Sequence, residues 1–334
     1  MNSLPVGKLP ASLLADLLPT LPTGPRVVLG PRPGEDAAVL DMGDHYLVAK
    51  TDPITFATDD IGWYAVQVNA NDIATTGAVP LWFMATILLP AEGDNAEMAR
   101  TIFSQISAAC RVLDVAVVGG HTEITYGLDR PVVIGCLLGE VAKDRLVQTG
   151  GARPGDVILL TKGAPIEATA IIAREKRAEL EGRFSAAFLD RCAHFLHDPG
   201  ISVACDARLA VSVGGVTAMH DPTEGGVVTA LWELADASGY GVEVDLYGEN
   251  QPWLPEGKVL CEAMNLNPAA AIASGALLLT VKPESVEAVF HAYREANIPV
   301  FRLGQMTDSV PAVVERQHGL LLRPERDEIA KLFA

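Results

Sequence analysis

The chain has 334 residues, 49% hydrophobic and 20% charged, which is long enough for one large domain or two ordinary ones. Its 42 acidic residues outnumber 25 basic ones and leave a formal charge of −17, the opposite sign to a nucleic-acid-binding surface. No apolar run approaches the roughly 20 residues of a membrane span, and no signal peptide is recognisable. These features predict a cytoplasmic protein without nucleic-acid or membrane partners. The acidic excess predicts a mainly solvated surface, with the alternative that some carboxylates turn inward to hold cations.

The cysteines are too few and too irregularly spaced to cross-link a chain of this length. Their number is odd, and no two of them form a Cys-x-x-Cys pair. We therefore expect reduced, buried thiols rather than disulfides or a zinc site. The residues concerned are Cys110, Cys136, Cys192, Cys205 and Cys261.

Short β-branched runs alternate with longer amphipathic stretches, which predicts an α/β fold, or α+β in the broader sense. In chain order, strands are predicted over residues 37–40, 46–50, 81–89, 115–118, 131–140, 157–161, 242–246 and 276–281. Helices are expected between these strands.

A helix is predicted over residues 62–76, because Gly77 and then Pro80 give the usual stop signal. It is rich in Ala, Val and Ile, yet one side carries a polar stripe formed by Asn69, Asp72 and Thr76. A second helix is predicted over residues 95–113. Asp94 and Glu97 form its capping box, and one apolar face repeats through Phe103, Ile106, Cys110 and Leu113.

The turn-rich segment 149–156 (TGGARPGD) predicts a domain boundary, because Gly and Pro cluster there between two apolar strands. We therefore expect one domain over residues 1–148 and a second over residues 149–334.

Two short acidic motifs lie beside predicted strands in the first half of the chain. Glu35 and Asp36 precede the strand predicted at 37–40, and Thr51 with Asp52 follows the strand predicted at 46–50. Taken alone, both motifs are also typical of ordinary turns. A third motif, residues 119–123 (GGHTE), follows the strand predicted at 115–118, where two glycines would let the backbone approach a phosphate and Thr122 and Glu123 would supply oxygen ligands. A tight turn explains this motif about equally well.

The fourth motif, residues 221–226 (DPTEGG), is predicted to open a helix that runs to Ser238. Asp221 fits the N-cap, and Pro222 and Glu224 fit the first turn. Capping does not explain Gly225 and Gly226, because each glycine in a helical turn costs about 0.8–1 kcal/mol relative to alanine. Bare backbone N–H groups at a helix start would instead suit a phosphate.

The chain has no Walker-type phosphate loop and no Gly-x-Gly-x-x-Gly after a strand, which disfavours the common nucleotide-binding folds. His121 has no second His or Cys at a metal-ligand spacing. The remaining carboxylates beside glycine-containing turns suit Mg²⁺, which takes oxygen ligands and bridges to phosphates. The inferred ligand is a nucleoside triphosphate.

In their order along the chain, these motifs resemble those of the aminoimidazole ribonucleotide (AIR) synthase superfamily. Its members include selenophosphate synthetase, thiamine-monophosphate kinase and the hydrogenase-maturation carbamoyl dehydratase, and this chain is most similar to the dehydratase. The matching segments span nearly the whole chain and cover residues 34–39, 51–52, 69–80, 119–123, 221–226, 273–278 and 303–304.

The resemblance implies two α/β domains, a homodimer formed through the N-terminal sheet, and ATP with Mg²⁺ between the domains. It implies that ATP activates or phosphorylates a small-molecule substrate, although it assigns no catalytic residue. By motif position it implies nucleotide contacts from Asp36, Thr51, Asp52, Asn71, Asp72, Gly119, Gly120, Thr122, Asp221, Thr223, Glu224 and Gly225. The implied Mg²⁺ ligands are Asp36, Asp52, Asp72, Glu123, Asp221 and Glu224.

Several residues depart from the family pattern. Glu35 stands where much of the superfamily has Asp, His121 where the kinase and the dehydratase have Asp, and Glu224 where the dehydratase has Arg. The last cysteine is Cys261, whereas the dehydratase carries its carbamoyl group on a C-terminal Cys. Two alternatives therefore stay open. One is a non-catalytic nucleotide-binding protein that docks with a maturation partner, and the other is a kinase similar to thiamine-monophosphate kinase.

Overall fold

The computed structural model describes residues 9–31, 37–54, 59–249 and 251–333. They form two mixed β-sheets, each packed against helices. The first sheet has the strand order β1-β2-β3-β6-β4-β5, with β4 and β5 parallel and the other neighbours antiparallel. Its strands are β1 (Val27–Leu29), β2 (Ala38–Asp41), β3 (His45–Ile54), β4 (Val79–Pro90), β5 (Ala116–Thr125) and β6 (Val132–Ala142).

Helix α1 (Ala11–Leu17) precedes this sheet, and α2 (Ile61–Thr75) and α3 (Asn95–Leu113) pack on one of its faces. Two glycines of β6 allow α2 to approach closely. A Cβ atom on Gly135 would lie 2.7 Å from the carbonyl oxygen of Ala65. A Cβ atom on Gly139 would lie 2.5 Å from the Ile73 side chain and 2.5 Å from the carbonyl oxygen of Val79. The helix can therefore seat its polar residues directly over the sheet.

The second sheet has the order β13-β12-β9-β11-β7-β10-β8, in which only β12 and β9 are parallel neighbours. Its strands are β7 (Val157–Thr161), β8 (Val216–His220), β9 (Gly241–Val244), β10 (Leu278–Val281), β11 (Val300–Thr307), β12 (Val313–Glu315) and β13 (Gly319–Leu320). The accompanying helices are α4 (Ile166–Glu175), α5 (Arg177–Leu180), α6 (Ala186–Ala193), α7 (Ala204–Val213), α8 (Gly226–Ser238), α9 (Pro255–Ala263) and α10 (Val286–Glu295).

The predicted mixed α/β class is confirmed, and all eight predicted strands exist; β7 has the predicted bounds, and the other seven have shifted ends. The boundary predicted at 148/149 falls between β6 of the first sheet and β7 of the second. Helix α3 has the predicted bounds, and the Asp94 side chain accepts a hydrogen bond from the Glu97 N–H at 3.0 Å. None of the helices in the described part of the chain is long and apolar enough to cross a membrane.

Several local predictions were wrong. Thr51 and Asp52 lie inside β3 rather than after it, and residues 119–123 belong to β5 rather than to a turn. Phe103 is exposed, because the buried face of α3 is formed by Ile102, Ile106, Ala109 and Cys110. Cys205 is also exposed, contrary to the expectation of buried thiols.

The helix predicted to begin at Asp221 begins at Gly226. Gly225 and Gly226 have φ angles of +80° and +61°, in the left-handed region that glycine favours. In addition, a Cβ atom on Gly226 would lie 2.6 Å from the carbonyl oxygen of Ala271. Residues 221–225 are therefore a loop between β8 and α8, and the two glycines are explained by backbone conformation and close packing.

The two sheet-containing halves are joined along α2. Asp60, at the start of α2, pairs with Arg174 of α4 at 2.6 Å, and the Trp63 ring meets the His197 ring edge-on at 4.7 Å. Further along α2, both polar atoms of the Asn71 amide bond to the backbone between α6 and α7. Its Nδ2 donates to the Ile201 carbonyl and its Oδ1 accepts from the Val203 N–H, each at 2.8 Å.

Candidate functional site

Two of the predicted site carboxylates meet above the first sheet. Asp52 lies on β3 and Asp72 on α2, and the ammonium group of Lys50 lies between them. The Lys50 Nζ is 3.3 Å from Asp52 Oδ2 and 2.9 Å from Asp72 Oδ2. Lys50 and Asp52 are two residues apart on one strand and so share the face that α2 covers. This side of the sheet therefore gathers two acids around one cation.

Neighbouring polar residues hold this arrangement in place. Asn69 accepts a hydrogen bond from the Asp52 N–H at 3.0 Å and donates to the Ala65 carbonyl at 2.8 Å. The Thr51 hydroxyl donates to the Gly135 carbonyl at 2.8 Å, which ties β3 to β6. The Asn71 amide is occupied by the second domain, as described above, so its contacts in this structure position α2.

The second domain contributes a separate group of acids. Asp221 directly follows β8, a strand that α2 contacts, and it is 1% exposed. Glu167 lies near it, and the charges of Asp327, Asp221 and Glu224 all act to raise the pKa of Glu167. Burial, reinforced by the neighbouring carboxylates and opposed by a hydrogen bond from Ser274, raises the pKa of Glu167 to about 7. Burial also raises the pKa of Asp327 to about 6, against hydrogen bonds from backbone N–H groups.

The N–H groups expected to bind a phosphate are already used within the chain. The Gly225 N–H donates to Asp327 Oδ2 at 2.6 Å, and the Gly226 N–H donates to the Thr223 carbonyl at 2.9 Å. The Gly225 N–H therefore binds the C-terminal segment at Asp327, and neither glycine N–H is bare at the helix start. Asp221 and Glu224 are the acidic members of this motif.

Residues 119–123 lie apart from Asp52 and Asp72 within one chain. Strands β6 and β4 separate β3 from β5, so the two positions are about 14 Å apart at the usual strand spacing. Gly119, Gly120 and Thr122 instead line a largely apolar cavity of about 420 Å³ between β5, β4 and α3. Glu123 is exposed and pairs with His121 at 3.0 Å. Glu123 therefore cannot join Asp52 and Asp72 around one metal ion in the same protomer.

Asp36 lies outside the described residues. Across the residues that are described, no three His, Cys, Asp or Glu side chains come close enough together to hold a metal ion. The chemistry of the Asp52–Asp72 pair nevertheless fits Mg²⁺, which often uses only one or two carboxylates and completes its shell with water and phosphate oxygens. The pair already contacts one cation, the Lys50 ammonium group.

Sequence reasoning missed three residues of these groups. Lys50 precedes the Thr51-Asp52 motif and was read only as the end of a strand, although its spacing from Asp52 already predicts a shared face. Glu167 and Asp327 lie far from any recognised motif. Glu167 lies 54 residues before Asp221, and Asp327 lies 106 residues after it. Contacts between such distant segments leave no local signal in the sequence.

Two family models match the chain. The model for the AIR synthase related protein N-terminal domain covers residues 34–141, and that for the C-terminal domain covers residues 153–315. The first match contains β2 to β6 with Asp52 and Asp72, and the second contains Asp221 and Glu224.

Individual relatives agree with this match. The carbamoyl dehydratase HypE of Cupriavidus necator is 31% identical over 271 residues, which are 79% of this chain and 73% of the relative. A hydrogenase maturation protein HypE solved in complex with ATP has a TM-score of 0.70 at 25% identity and covers 87% of this chain and 88% of its own. A HypE–HypF complex shares the fold, with a TM-score of 0.70 at 23% identity over 87% of this chain and 93% of that one. The chain belongs to the AIR synthase related protein family.

Proposed function

We propose that this protein binds ATP with Mg²⁺ between its two domains and uses ATP to phosphorylate or activate a small substrate. The observation that carries the proposal is the convergence of Asp52 and Asp72 on one cation position. The similarity to a HypE solved with ATP supports nucleotide binding at an equivalent fold position. A bound cation would offset the repulsion between the Asp52–Asp72 carboxylates and a polyanionic nucleotide.

In this proposal Asp52 and Asp72 hold the metal, and Asp36 completes the set. Bound Mg²⁺ would neutralise phosphate charge and orient the transferred group. Lys50 would move from the carboxylates toward the phosphate oxygens when the metal takes its place. Thr51 and Asn69 keep β3 in register, so that Asp52 is held in place before any ligand arrives. Asp221 and Glu224 would face the phosphates from the second domain.

We also propose that the protein is a homodimer formed through the first sheet. On the face of that sheet away from α2 and α3, Ile134, Cys136 and Leu138 remain half-exposed. At the sheet edge, Val117 and Ile124 of β5 are 55% and 59% exposed. Exposed apolar faces and unprotected edge strands of this kind are typical of protein interfaces. A second copy would cover these residues together with Gly119, Gly120, Thr122 and Glu123.

A second candidate is a non-catalytic protein that binds nucleotide and docks with a maturation partner. The similarity to a HypE solved in a complex with HypF favours it. The two candidates differ in ATP turnover, because a binding protein would not release ADP with any substrate.

Isothermal titration with ATP and Mg²⁺ tests nucleotide binding. We expect Asp72→Asn to weaken Mg-ATP binding at least tenfold without unfolding the protein, because it removes the more buried carboxylate of the pair. Asp308→Asn, which changes an exposed acid of the second domain, serves as the matched control and should bind as the wild type does. A fall in melting temperature with unchanged nucleotide affinity would refute the assigned role of Asp72.

Turnover is tested by ADP release from the wild-type protein against a panel of small acids, small amides and thiamine monophosphate. Release that depends on one of these substrates supports the enzyme. Tight Mg-ATP binding with no ADP release across the panel supports the docking protein instead.

A further inference from the structure

A second cleft opens at the junction of the two domains, away from the Asp52–Asp72 pair. It has a volume of about 330 Å³. Its walls come from the ends of α2, α3 and β6, the start of β4, and α7. The residues that matter here are Gly77, Val112, Glu140, Arg145, Cys205 and Arg208. We name it the junction cleft. Because both domains line it, a ligand bound there would contact both.

Most of the junction cleft lies away from the proposed nucleotide site. Along the paired strands β3 and β6, Glu140 lies opposite Leu47, whereas Gly135 lies opposite Asp52. Five residues of extended strand therefore separate this part of the cleft wall from Asp52, a distance of about 17 Å. On α2, Ala74 lines the cleft two residues beyond Asp72, but residues two apart on a helix face different sides. A ligand of the cleft would be distinct from the phosphates of a nucleotide held by Asp52 and Asp72.

Two arginines give the junction cleft a positive character in an otherwise acidic protein. Arg145 comes from the segment after β6 and Arg208 from α7, so one stands on each side of the domain junction. Neither has a carboxylate within salt-bridge distance among the residues the structure describes. The one acid in the wall, Glu140, pairs with His45 Nε2 at 3.3 Å. Most of the remaining wall is apolar, with Val112 and Val79 more than half exposed.

We propose that the junction cleft binds a small organic oxyanion, a carboxylate or phosphate ester with a short aliphatic body. Guanidinium groups bind carboxylate and phosphate oxygens in a fixed two-point geometry, and Arg145 and Arg208, both exposed, line the same cleft from the two domains. The apolar wall suits the aliphatic part, since small-molecule sites combine a mainly apolar lining with a few polar anchors.

Cys205 provides a local reporter of occupancy, because it lines the cleft and its thiol is exposed. The other thiols react more slowly with alkylating reagents. Burial raises the pKa of Cys110 to about 11 and the pKa values of Cys192 and Cys261 to about 12, and it also raises the pKa of the half-buried Cys136. Because the thiolate is the reactive form, N-ethylmaleimide should label Cys205 first.

The test measures the rate of Cys205 labelling by N-ethylmaleimide, followed by peptide mass spectrometry, in metal-free protein. The probes are glutarate for the carboxylate arm and glycerol 3-phosphate for the phosphate arm, each at millimolar concentration. We expect at least one probe to slow labelling threefold or more. Protection by glutarate alone identifies a carboxylate site, and protection by glycerol 3-phosphate alone identifies a phosphate site.

Protection should disappear in the double variant Arg145→Met/Arg208→Met. It should persist in Arg294→Met/Arg302→Met, which removes the same charge from exposed positions outside the cleft. Circular dichroism establishes that each double variant is folded, and Asp72→Asn should keep the protection. No protection by either probe, or equal protection in both double variants, would overturn the proposal.

Discussion

In the proposed site, Lys50 occupies the position that Mg²⁺ would take, so its effect on stability depends on whether the metal is present. In metal-free protein its ammonium group offsets two carboxylates, one of them only 4% exposed. Removing one partner of such a pair leaves a buried charge uncompensated, which costs several kcal/mol. With Mg²⁺ present, the same ammonium group competes with the ion for Asp52 and Asp72.

We therefore expect Lys50→Met to have opposite effects on stability and on metal affinity. The free energy of unfolding in EDTA should fall by about 3 kcal/mol, while the Mg²⁺ affinity measured by titration should rise several-fold. Lys143→Met is the control, because it removes an exposed pair with Asp41 and should change the stability much less. A weaker Mg²⁺ affinity in Lys50→Met would contradict the competition.

The raised pKa of Glu167 predicts how the stability of the metal-free protein depends on pH. Its folded-state pKa of about 7 lies above the ordinary value of 4.5, because burial disfavours the carboxylate. The folded state therefore binds the proton more tightly than the unfolded state does, and stability falls as the pH rises from about 4.5 to 7. The loss is on the order of a few kcal/mol.

Urea unfolding at pH 5, 6, 7 and 8 measures this slope. Glu167→Gln stays neutral and should flatten the dependence between pH 6 and 7, above the pKa of about 6 of Asp327. Glu175→Gln, which changes an exposed acid near the end of the same helix, should keep the wild-type slope. An unchanged slope in Glu167→Gln would remove Glu167 as its origin.

At the scale of single elements, α3 depends on local signals and should respond to local changes. The Asp94 side chain caps the helix by accepting the Glu97 N–H. Asp94→Ala should therefore lower the free energy of unfolding by about 1 kcal/mol, whereas Asp94→Asn should lower it by much less. Urea denaturation of both variants compares them, and equal losses would mean that the cap contributes nothing.

The same locality explains which elements could be predicted from the sequence. Helix α3 has a cap at one end, Asp114 in the left-handed region at the other and a regular apolar face, so its bounds are encoded within about 20 residues. The start of α8 could not be predicted, because it depends on the contact of Gly225 with Asp327, 102 residues away. The extent of β5 likewise depends on its pairing with β4, because that pairing makes Gly119 and Gly120 part of the strand instead of a turn.

The site shows the same division. The motif order led to Asp52 and Asp72, and the fold brings these two together because β3 and α2 are layered face to face. The motif order could not reveal that β6 and β4 separate residues 119–123 from that pair. The motif order also gave no reason to select Lys50, because the site residues it indicates are mainly acids and glycines.

At the scale of the whole molecule, the open face and edge of the first sheet predict the oligomeric state. Ile124→Lys places a charge on β5, at the proposed dimer interface, and should shift the protein from dimer to monomer in sedimentation equilibrium. Val310→Lys introduces the same charge at a residue of the second domain that is 79% exposed and should leave the dimer intact. A wild-type monomer at micromolar concentration would refute the proposed dimer.

The insertion of β6 between β3 and β4 has a consequence for biosynthesis. Asp72 leaves the ribosome about 60 residues before β6 begins, which at about 5–20 residues per second is a delay of several seconds. Throughout that interval β3 lacks the neighbour with which it forms ten paired positions, and α2 lacks the two glycines on which it rests. In the nascent chain, Asp52 and Asp72 therefore cannot reach their final arrangement before β6 has been synthesised. Cation binding at this pair can contribute to folding only after translation has passed Ala142.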